Sequence, residues 1–348
     1  MRVALMDGEL GSVLKVSAAV WAALWYARLA ATCISPGASR LAAFLPAVVL
    51  FYGIPFAFTT AGSRGIAAFF LCWLGTFKLF LLAAGRGPLD PSLPLLQFVC
   101  SASLPVKLRQ STTPGKAEKK HPASAATKIL ALSAVIPFIT CVYQFKEAMS
   151  RWQLLLVYAA HMYISVEVLL ALVHAVIQGV LGMEMEPQVD RPYLASSLRE
   201  FWGRRWNLMV PAILRPSVYG PVRARFGDAA GVLASFLVSG LMHELIFYYL
   251  MWQPPSGDVA AFFVLHGVCT VAEAWWGRHA GWWRRPPVVA VPLTLAFVVG
   301  TGFWLFFPAM IRGGLDELIL QDFQGMVVLM EQAGRCLAGA AGPVLSTR

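Results

Sequence analysis

Apolar residues along this chain fall into blocks of about 20 positions that hold few charges, separated by shorter polar stretches. A helix of about 20 apolar residues is long enough to cross the ~30 Å hydrocarbon core of a bilayer. The pattern therefore predicts an all-α, polytopic transmembrane bundle of about eight spans, with seven to nine also compatible. Because one bundle can take up the whole length, residues 1–348 are predicted to form a single domain. The predicted spans are 16–34, 41–60, 66–84, 129–145, 153–176, 229–252, 259–276 and 288–311.

Three segments carry additional expectations. The first span is longer than the apolar region of a signal peptide, which predicts an uncleaved signal anchor. The apolar stretch 153–183 exceeds one crossing, so its helix is expected to tilt or to continue beyond the membrane surface. Residues 315–337 have an apolar pattern interrupted by acidic residues, which predicts an amphipathic or partly embedded helix.

The composition excludes a cytosolic globular enzyme. Hydrophobic residues make up 58% of the chain, charged residues only 13%, and the mean hydropathy is +0.65. Ordinary soluble domains are about 25% charged. The six cysteines are scattered, mostly inside predicted spans, so they are interpreted as small apolar packing residues.

The positive charges are distributed unevenly between the two sides of the predicted membrane. Of the 28 Lys and Arg residues, 18 fall in the loops 35–40, 85–128, 184–228 and 277–287, which eight alternating spans place on one side. The positive-inside rule makes these loops cytoplasmic, including the two long ones, 85–128 and 184–228. Such loops can attract anionic headgroups or a phosphate-bearing substrate, whereas binding to nucleic acid would need a soluble basic domain that the pattern does not contain.

Most signatures of reactive sites are absent from the sequence. It contains no Gly-x-Ser-x-Gly motif, no phosphate-binding loop and no paired metal-ligand spacing. No histidine is followed by aspartate five positions later, which removes a common signature of soluble acyltransferases. The remaining candidate chemistry is therefore polarity inside the membrane, and no metal or resident cofactor is predicted.

The adjacent residues His243 and Glu244 lie inside the predicted span 229–252. An ionised group within a span costs a few kcal/mol, so such residues point to function by default. Neighbouring residues on a helix point about 100° apart, and we assign the cavity-facing position to His243. The structural alternative, a histidine that only hydrogen-bonds a neighbouring helix, stays open from this feature alone.

A second polar cluster, SLREFWGRRWN at residues 197–207, lies just before that span. Arginines interleaved with aromatic rings at a membrane surface can hold a phosphate-bearing group, although the same composition also forms an interfacial anchor. Asn207 is the only asparagine in the chain. The spacing of His266 and Glu273 predicts a structural polar seam, and Lys78, near the end of its span, is expected to reach toward the membrane surface.

Several of these motifs together resemble the plant wax synthases of the jojoba type, which belong to the membrane-bound O-acyltransferase (MBOAT) superfamily. The resemblance covers most of the chain in the same order. The superfamily pattern is an asparagine in an aromatic motif, followed some tens of residues later by a histidine in an apolar span; Asn207 and His243 match these positions. The matching segments are TFKLF at 76–80, FVCSASLPVK at 98–107, FWGRRWN at 201–207, LRPSVYGPVR at 214–223 and SGLMHE at 239–244.

The resemblance implies an acyltransferase of the endoplasmic reticulum membrane that moves an acyl group from acyl-CoA to the hydroxyl of a long-chain alcohol, giving a wax ester and free CoA. It implies His243 as general base, which suits a neutral imidazole. Asn207 would orient or polarise the substrates, and Glu244 would support His243. The residues expected to bind acyl-CoA are Trp202, Arg204, Arg205, Trp206 and Arg215.

Other functions stay open at this point. Members of this family divide between fatty-alcohol and sterol acceptors, and the motifs do not report the shape of the acceptor tunnel. A transporter using intramembrane His and Glu residues as a proton relay is a candidate from another class, but the inverted repeats typical of transporters are not evident. An inactive paralogue of the family is the third alternative.

Overall fold

The computed structural model describes residues 2–105, 141–181, 188–279 and 286–322. Helices are the only regular secondary structure within these residues. Numbered in chain order, with π-type segments counted in, they are α1 Arg2–Cys33, α2 Ala38–Gly53, α3 Ala61–Ala83, α4 Leu95–Ser103, α5 Arg151–Leu181, α6 198–205, α7 209–226, α8 Asp228–Met251, α9 Asp258–His279, α10 Pro287–Arg312 and α11 315–322.

Seven helices in the described residues are long and apolar enough to span a membrane: α1, α2, α3, α5, α8, α9 and α10. They coincide with seven of the eight predicted spans, and the polytopic helical fold class is confirmed. The remaining span, 129–145, lies almost entirely outside the described residues; only its end, with a helical turn at 141–143, is seen. The expected long helix at 153–183 is present, because α5 has 31 residues and measures about 46 Å.

The segments interpreted as cytoplasmic loops contain more helix than the apolar pattern indicates. α4 lies within 85–128, while α6 and α7 lie within 184–228. α7 continues through LRPSVYGPVR although this segment contains two prolines, Pro216 and Pro221. Pro221 lies in the first turn of the final α-helical part of α7, where a missing N–H costs little. At the C-terminal end, the described residues are helical from 315 to 322, and residues 323–337 of the predicted amphipathic helix lie outside the described part.

Within the described ranges, four helices contain a π-type segment: Ala68–Gly75 in α3, Phe201–Arg205 in α6, Arg215–Tyr219 in α7 and Gly302–Phe306 in α10. Such segments are rare in proteins, and those that occur are often found at functional sites. The wider turn changes the direction of the side chains that it carries. Here all four contribute to one region of the bundle, which is described below.

Buried cations cap the C-terminal ends of helices. The Lys78 ammonium is fully buried and donates to the carbonyls of Ser101 and Leu104, at the end of α4, over 2.6 and 2.5 Å. The expectation that Lys78 reaches toward the surface is therefore wrong: the carbonyls left free at a helix end, together with their partial negative charge, offer it a binding place inside the protein. The Arg64 guanidinium binds Tyr249 O and Leu250 O at the end of α8 in the same way.

α8 and α9 pack closely against each other, because small residues let their backbones approach. A Cβ atom added to Gly240 would lie 2.9 Å from Ala260 Cα and 3.3 Å from Phe263 Cβ. One added to Gly267 would lie 2.9 Å from Phe236 Cβ. Glycine at these positions therefore places the aromatic face of α9 directly against α8, where His243 lies.

Candidate active site

His243 lies on α8, where its imidazole is held by the backbone of its own helix. Nδ1 is 2.7 Å from the carbonyl oxygen of Ser239, one turn earlier. A carbonyl oxygen only accepts, so Nδ1 must carry the proton that makes this hydrogen bond. In the neutral imidazole, Nε2 is then the unprotonated nitrogen, with its lone pair available to accept a proton.

Aromatic rings from three other helices surround this imidazole. The Phe263 ring of α9 stacks on it at a centroid distance of 4.2 Å. Trp73 from α3 and Phe306 from α10 meet it edge to face, at 5.1 and 6.2 Å. Trp73 and Phe306 both come from π-type segments. This largely apolar setting favours the neutral form of the imidazole over the charged one.

Glu244 points away from His243. It is buried, and its Oε1 accepts the backbone N–H of Ala260 over 2.9 Å, in the first turn of α9. A carboxylate there satisfies a free N–H group and complements the helix dipole. The support that we expected Glu244 to give His243 is therefore not a contact with the imidazole but the anchoring of the helix that carries Phe263.

Trp202, in the π-type segment of α6, is fixed by a buried chain of hydrogen bonds. Its indole Nε1–H donates to His266 Nδ1 over 3.0 Å, and His266 Nε2 is 2.8 Å from the Thr301 hydroxyl. An indole N–H only donates, so His266 Nδ1 accepts and the ring is neutral, with its proton on Nε2. The Trp202 ring also lies 5.5 Å from Phe263, which links it to the rings around His243.

The start of α6 is held by two carboxylates. Glu273 of α9 accepts the backbone N–H groups of Leu198 and Arg199, both over 3.3 Å. Together with His266, it shows that the polar seam predicted on α9 serves to bind α6. Glu200 forms an ion pair of 2.7 Å with Arg205. Burial alone would raise the pKa of Glu200, but hydrogen bonds from Ser196 and Arg205 outweigh this effect and hold it below its ordinary value.

Asn207 occupies a left-handed backbone position between α6 and α7, with φ of 42°. Asparagine tolerates this conformation better than other residues that carry a Cβ, so the backbone gives one reason for its presence. Its Oδ1 is buried and has no hydrogen-bond partner among the described residues. Backbone conformation does not explain that oxygen, and buried polar atoms normally have partners.

A cavity of about 720 Å³ lies between α6, α7, α8 and α9. Its α8 wall contains Asp228, Val232 and Ser239, whose spacing places them on one helix face. Asp228 and Ser239 are 11 positions apart, which corresponds to about 16 Å of helix. His243 follows Ser239 by one turn on the same face, so the cavity leads from the start of α8 to the residues that contact the imidazole.

The cavity is basic at its mouth and apolar inside. Five solvent-exposed arginines of the described part line it near the start of α8: Arg199, Arg204, Arg215, Arg223 and Arg278. Its inner walls include the side chains of Trp202, Leu214, Val232, Phe236 and Phe263. An anionic group at the arginines and an apolar chain inside would match this distribution of charge.

The structure brings together some of the residues that the sequence singles out. Trp202, Arg204 and Arg215 line the cavity. Arg205 is instead paired with Glu200, and the Trp206 ring stacks on Tyr163 at 6.0 Å, so neither lines it. Asn207, His243 and Glu244 are not among the lining residues either; His243 adjoins the cavity through Ser239 and Phe263.

Sequence reasoning missed the roles of three residues. Arg278 lies in a loop whose basic charge was counted, but nothing indicated that it would face the same cavity as Arg204. The seven-residue spacing between His266 and Glu273 predicted a polar seam, but nothing in the sequence indicated that the Trp202 indole would donate to His266. No sequence signal distinguished Trp73 among the 12 tryptophans. Among the described residues, no cluster of three or more His, Cys, Asp or Glu side chains could hold a metal ion.

Comparison with known proteins gives consistent matches. Residues 185–265 match the profile of the "Membrane bound O-acyl transferase family". The chain is 40% identical over 331 residues to probable long-chain-alcohol O-fatty-acyltransferase 3 of Arabidopsis thaliana, covering 91% of this chain and 94% of the relative. It is 38% identical to the long-chain-alcohol O-fatty-acyltransferase of Simmondsia chinensis, covering 87% and 93%. It is also 36% identical to acyl-CoA–sterol O-acyltransferase 1 of Arabidopsis thaliana, covering 90% and 94%.

Proposed function

This chain belongs to the wax synthase family of membrane-bound O-acyltransferases, and we propose that it transfers a fatty acyl group from acyl-CoA to a long-chain alcohol, giving a wax ester and CoA. It is an acyl-CoA-dependent O-acyltransferase and a multi-pass membrane protein. One observation carries the finer proposal: a cavity with arginines at its mouth reaches Ser239 and Phe263, which contact the imidazole of His243, a histidine whose unprotonated nitrogen is free of its own helix.

In the proposed mechanism, His243 acts as general base. Its Nε2 takes the proton of the alcohol hydroxyl while the alcohol oxygen attacks the thioester carbonyl carbon. The tetrahedral intermediate collapses with cleavage of the C–S bond, and the departing thiolate recovers the proton from Nε2. The products are an ester and CoA with a free thiol. No covalent acyl-enzyme is needed, and acyl-CoA is a co-substrate, so the proposal includes no metal or resident cofactor.

Ser239 supports this role because its carbonyl keeps the proton on Nδ1. When Nε2 is protonated, Nδ1–H can still donate to the same oxygen, so the imidazolium keeps its orientation. Asn207 is proposed to act through its side-chain amide on one of the substrates. The buried Oδ1 without a partner in the described residues supports this assignment, since an N–H or O–H group of the bound acyl-CoA could donate a hydrogen bond to it.

The arginines at the mouth of the cavity are proposed to bind the phosphates of CoA. Arg204 and Arg215 have the acyl-CoA-binding role that the resemblance implies, joined by Arg199, Arg278 and Arg223, the last of which is also ion-paired with Asp228. Arginine suits phosphate because its planar fork can donate two parallel hydrogen bonds. Trp202 would form the wall beside the pantetheine and thioester, while Arg205 and Trp206 would act indirectly, by holding α6 in place.

A sterol is the second candidate acceptor. One relative named as a sterol acyltransferase is 36% identical to this chain, within the range of the relatives named for long-chain alcohols. The overall identity therefore does not separate the two acceptors. We favour the alcohol because most of the relatives compared carry that name, and we place the reaction in the endoplasmic reticulum membrane, where both substrates would reach the enzyme from the cytoplasm and the bilayer.

The acceptor assignment is tested with microsomes from cells that express the chain, supplied with labelled palmitoyl-CoA. Separate reactions receive hexadecanol, a sterol or diacylglycerol, and vector-only microsomes are the control. Wax ester formed above the control only with hexadecanol supports the proposal. Product only with sterol would overturn the acceptor assignment, while no product with any acceptor, from a protein shown by immunoblot to be present, would favour the transport function or an inactive paralogue.

A further inference from the structure

The indole of Trp73 is a buried hydrogen-bond donor that the mechanism above does not use. Trp73 is 1% exposed, within the π-type segment of α3. Its Nε1 is buried and has no hydrogen-bond partner among the described residues. Trp202 provides the contrast, because its Nε1–H is paired with His266. A buried tryptophan normally finds a partner for this group, and leaving it unpaired destabilises the fold.

Trp73 lies directly against the proposed base. Its ring is 5.1 Å from the His243 ring, at an interplanar angle of 76°. It belongs to the same buried apolar cluster as Leu214 and Phe263, which line the inner part of the cavity. The unpaired N–H is therefore on a ring that contacts the imidazole and belongs to the cluster from which the inner cavity wall is built.

We propose that Trp73 Nε1–H donates to the carbonyl oxygen of the acyl thioester and stabilises the negative charge that forms there during attack. An indole N–H can only donate, so its partner must be an acceptor. The thioester carbonyl oxygen is a pure acceptor and gains charge in the transition state. This inference rests on the proposed function, since it takes His243 as the base that acts next to the same carbonyl.

The position of the donor fits this role. The alcohol oxygen must lie within hydrogen-bond distance of His243 Nε2 while it approaches the carbonyl carbon, so the carbonyl oxygen must also lie near the imidazole. A fixed donor in an apolar site stabilises an oxyanion far more than it would in water. Nε1–H only donates and keeps its proton, so the proton balance of the reaction is unchanged.

The test replaces Trp73 with 3-benzothienylalanine, introduced by amber suppression, which preserves the ring shape but has sulfur in place of the N–H group. We expect kcat for acyl transfer from palmitoyl-CoA to fall by about 100-fold, the size of effect seen on loss of one oxyanion donor. KM for palmitoyl-CoA should stay within twofold and the melting temperature in detergent should not fall. The matched control is the same replacement at Trp25, which is 52% exposed on α1.

Trp73→Phe provides a second variant made without an unnatural residue. It should show the same loss of kcat, with a small loss of thermal stability from the smaller ring. If the benzothienyl variant keeps parental kcat, or if kcat falls only in proportion to lost folded protein, Trp73 is a packing residue and the inference is wrong. Failure of the proposed function is distinguished by His243→Ala: an active His243→Ala enzyme overturns the base, whatever the Trp73 variants do.

Discussion

His243 shows how a single backbone contact can decide the chemistry of a side chain. Its Nδ1 is bound by the carbonyl of Ser239, so Nε2 is left as acceptor. The sequence indicated that His243 and Glu244 point in different directions, because adjacent helical residues are about 100° apart. It did not show that Glu244 would cap α9 at Ala260, because that contact depends on how two helices pack.

Asn207 is the residue where a structural and a chemical explanation compete most directly, and three substitutions separate them. Glycine tolerates the positive φ but lacks the amide, so Asn207→Gly should remain folded while kcat falls by about 100-fold. Asn207→Ala should lose activity and also about 1 kcal/mol of stability, because alanine is strained there.

The third variant, Asn207→Asp, keeps an oxygen acceptor but not the amide donor. A kcat near that of the parent would show that the acceptor is used, and a kcat as low as that of Asn207→Gly would show that the donor is used. Steady-state kinetics and thermal unfolding of the purified proteins provide the measurements. An Asn207→Gly enzyme with parental kcat would show that Asn207 serves only the backbone turn.

At the scale of elements, the site is assembled by close packing of α8 and α9 and by π-type segments in the surrounding helices. The apolar pattern predicted the spans because helix length is imposed by the bilayer. The same pattern contains no information on π-type turns. It also underestimated helix in 184–228, because α6 is shorter than a membrane crossing and α7 contains arginines and prolines. The direction of Trp73 and Trp202 therefore could not be predicted.

The close approach of α8 and α9 is tested by Gly240→Ala. The added Cβ would lie 2.9 Å from the Ala260 backbone, so the helices must separate, at a cost of about 1 to 3 kcal/mol. Acyl transfer should also fall, because Phe263 would move relative to His243. Gly277→Ala on α9 is the control, since its added Cβ meets nothing within 4 Å. A Gly240→Ala protein with parental melting temperature and activity would show that this contact does not position the site.

At the scale of the whole molecule, the distribution of Lys and Arg along the sequence matches the position of the arginines around the cavity. The loops with the larger share of Lys and Arg include 184–228 and 277–287, and these supply the five arginines of the cavity mouth. The charge count therefore predicts a cytoplasmic cavity mouth and an anionic partner. It did not predict which arginines face the cavity, because Arg205 and Arg204 are adjacent in the chain yet have different partners.

The role of the arginines is tested with two acyl donors. Arg204→Ala and Arg215→Ala should each raise KM for palmitoyl-CoA by about three- to tenfold, the effect of losing one exposed phosphate contact. Neither should change KM for palmitoyl-pantetheine, which lacks the phosphates. Arg225→Ala is the control, since Arg225 is exposed but does not line the cavity. If each substitution raised KM equally for both donors, these arginines would serve folding or contact the acyl chain, and would not bind the phosphates.

The predicted membrane orientation is tested by engineered N-glycosylation. The chain has one asparagine, Asn207, and Leu208 and Met209 follow it, so there is no natural acceptor site. A glycosylation cassette inserted after Gly257, between α8 and α9, should be modified, whereas one inserted between α3 and α4 should not. Gel mobility before and after glycosidase treatment shows whether each cassette is modified. The reverse pattern would place the arginine-lined cavity on the lumenal side.

The central claim, that His243 is the general base, is tested most directly by the turnover of His243→Ala with palmitoyl-CoA and hexadecanol at matched amounts of folded enzyme. The control is His279→Ala, because exposed His279 makes the same kind of Nδ1 contact with the carbonyl one turn earlier, at Trp275. We expect His243→Ala to lose at least about 100-fold in kcat and His279→Ala to stay within about twofold of the parent. A His243→Ala enzyme that keeps a third or more of the parental kcat would contradict the mechanism.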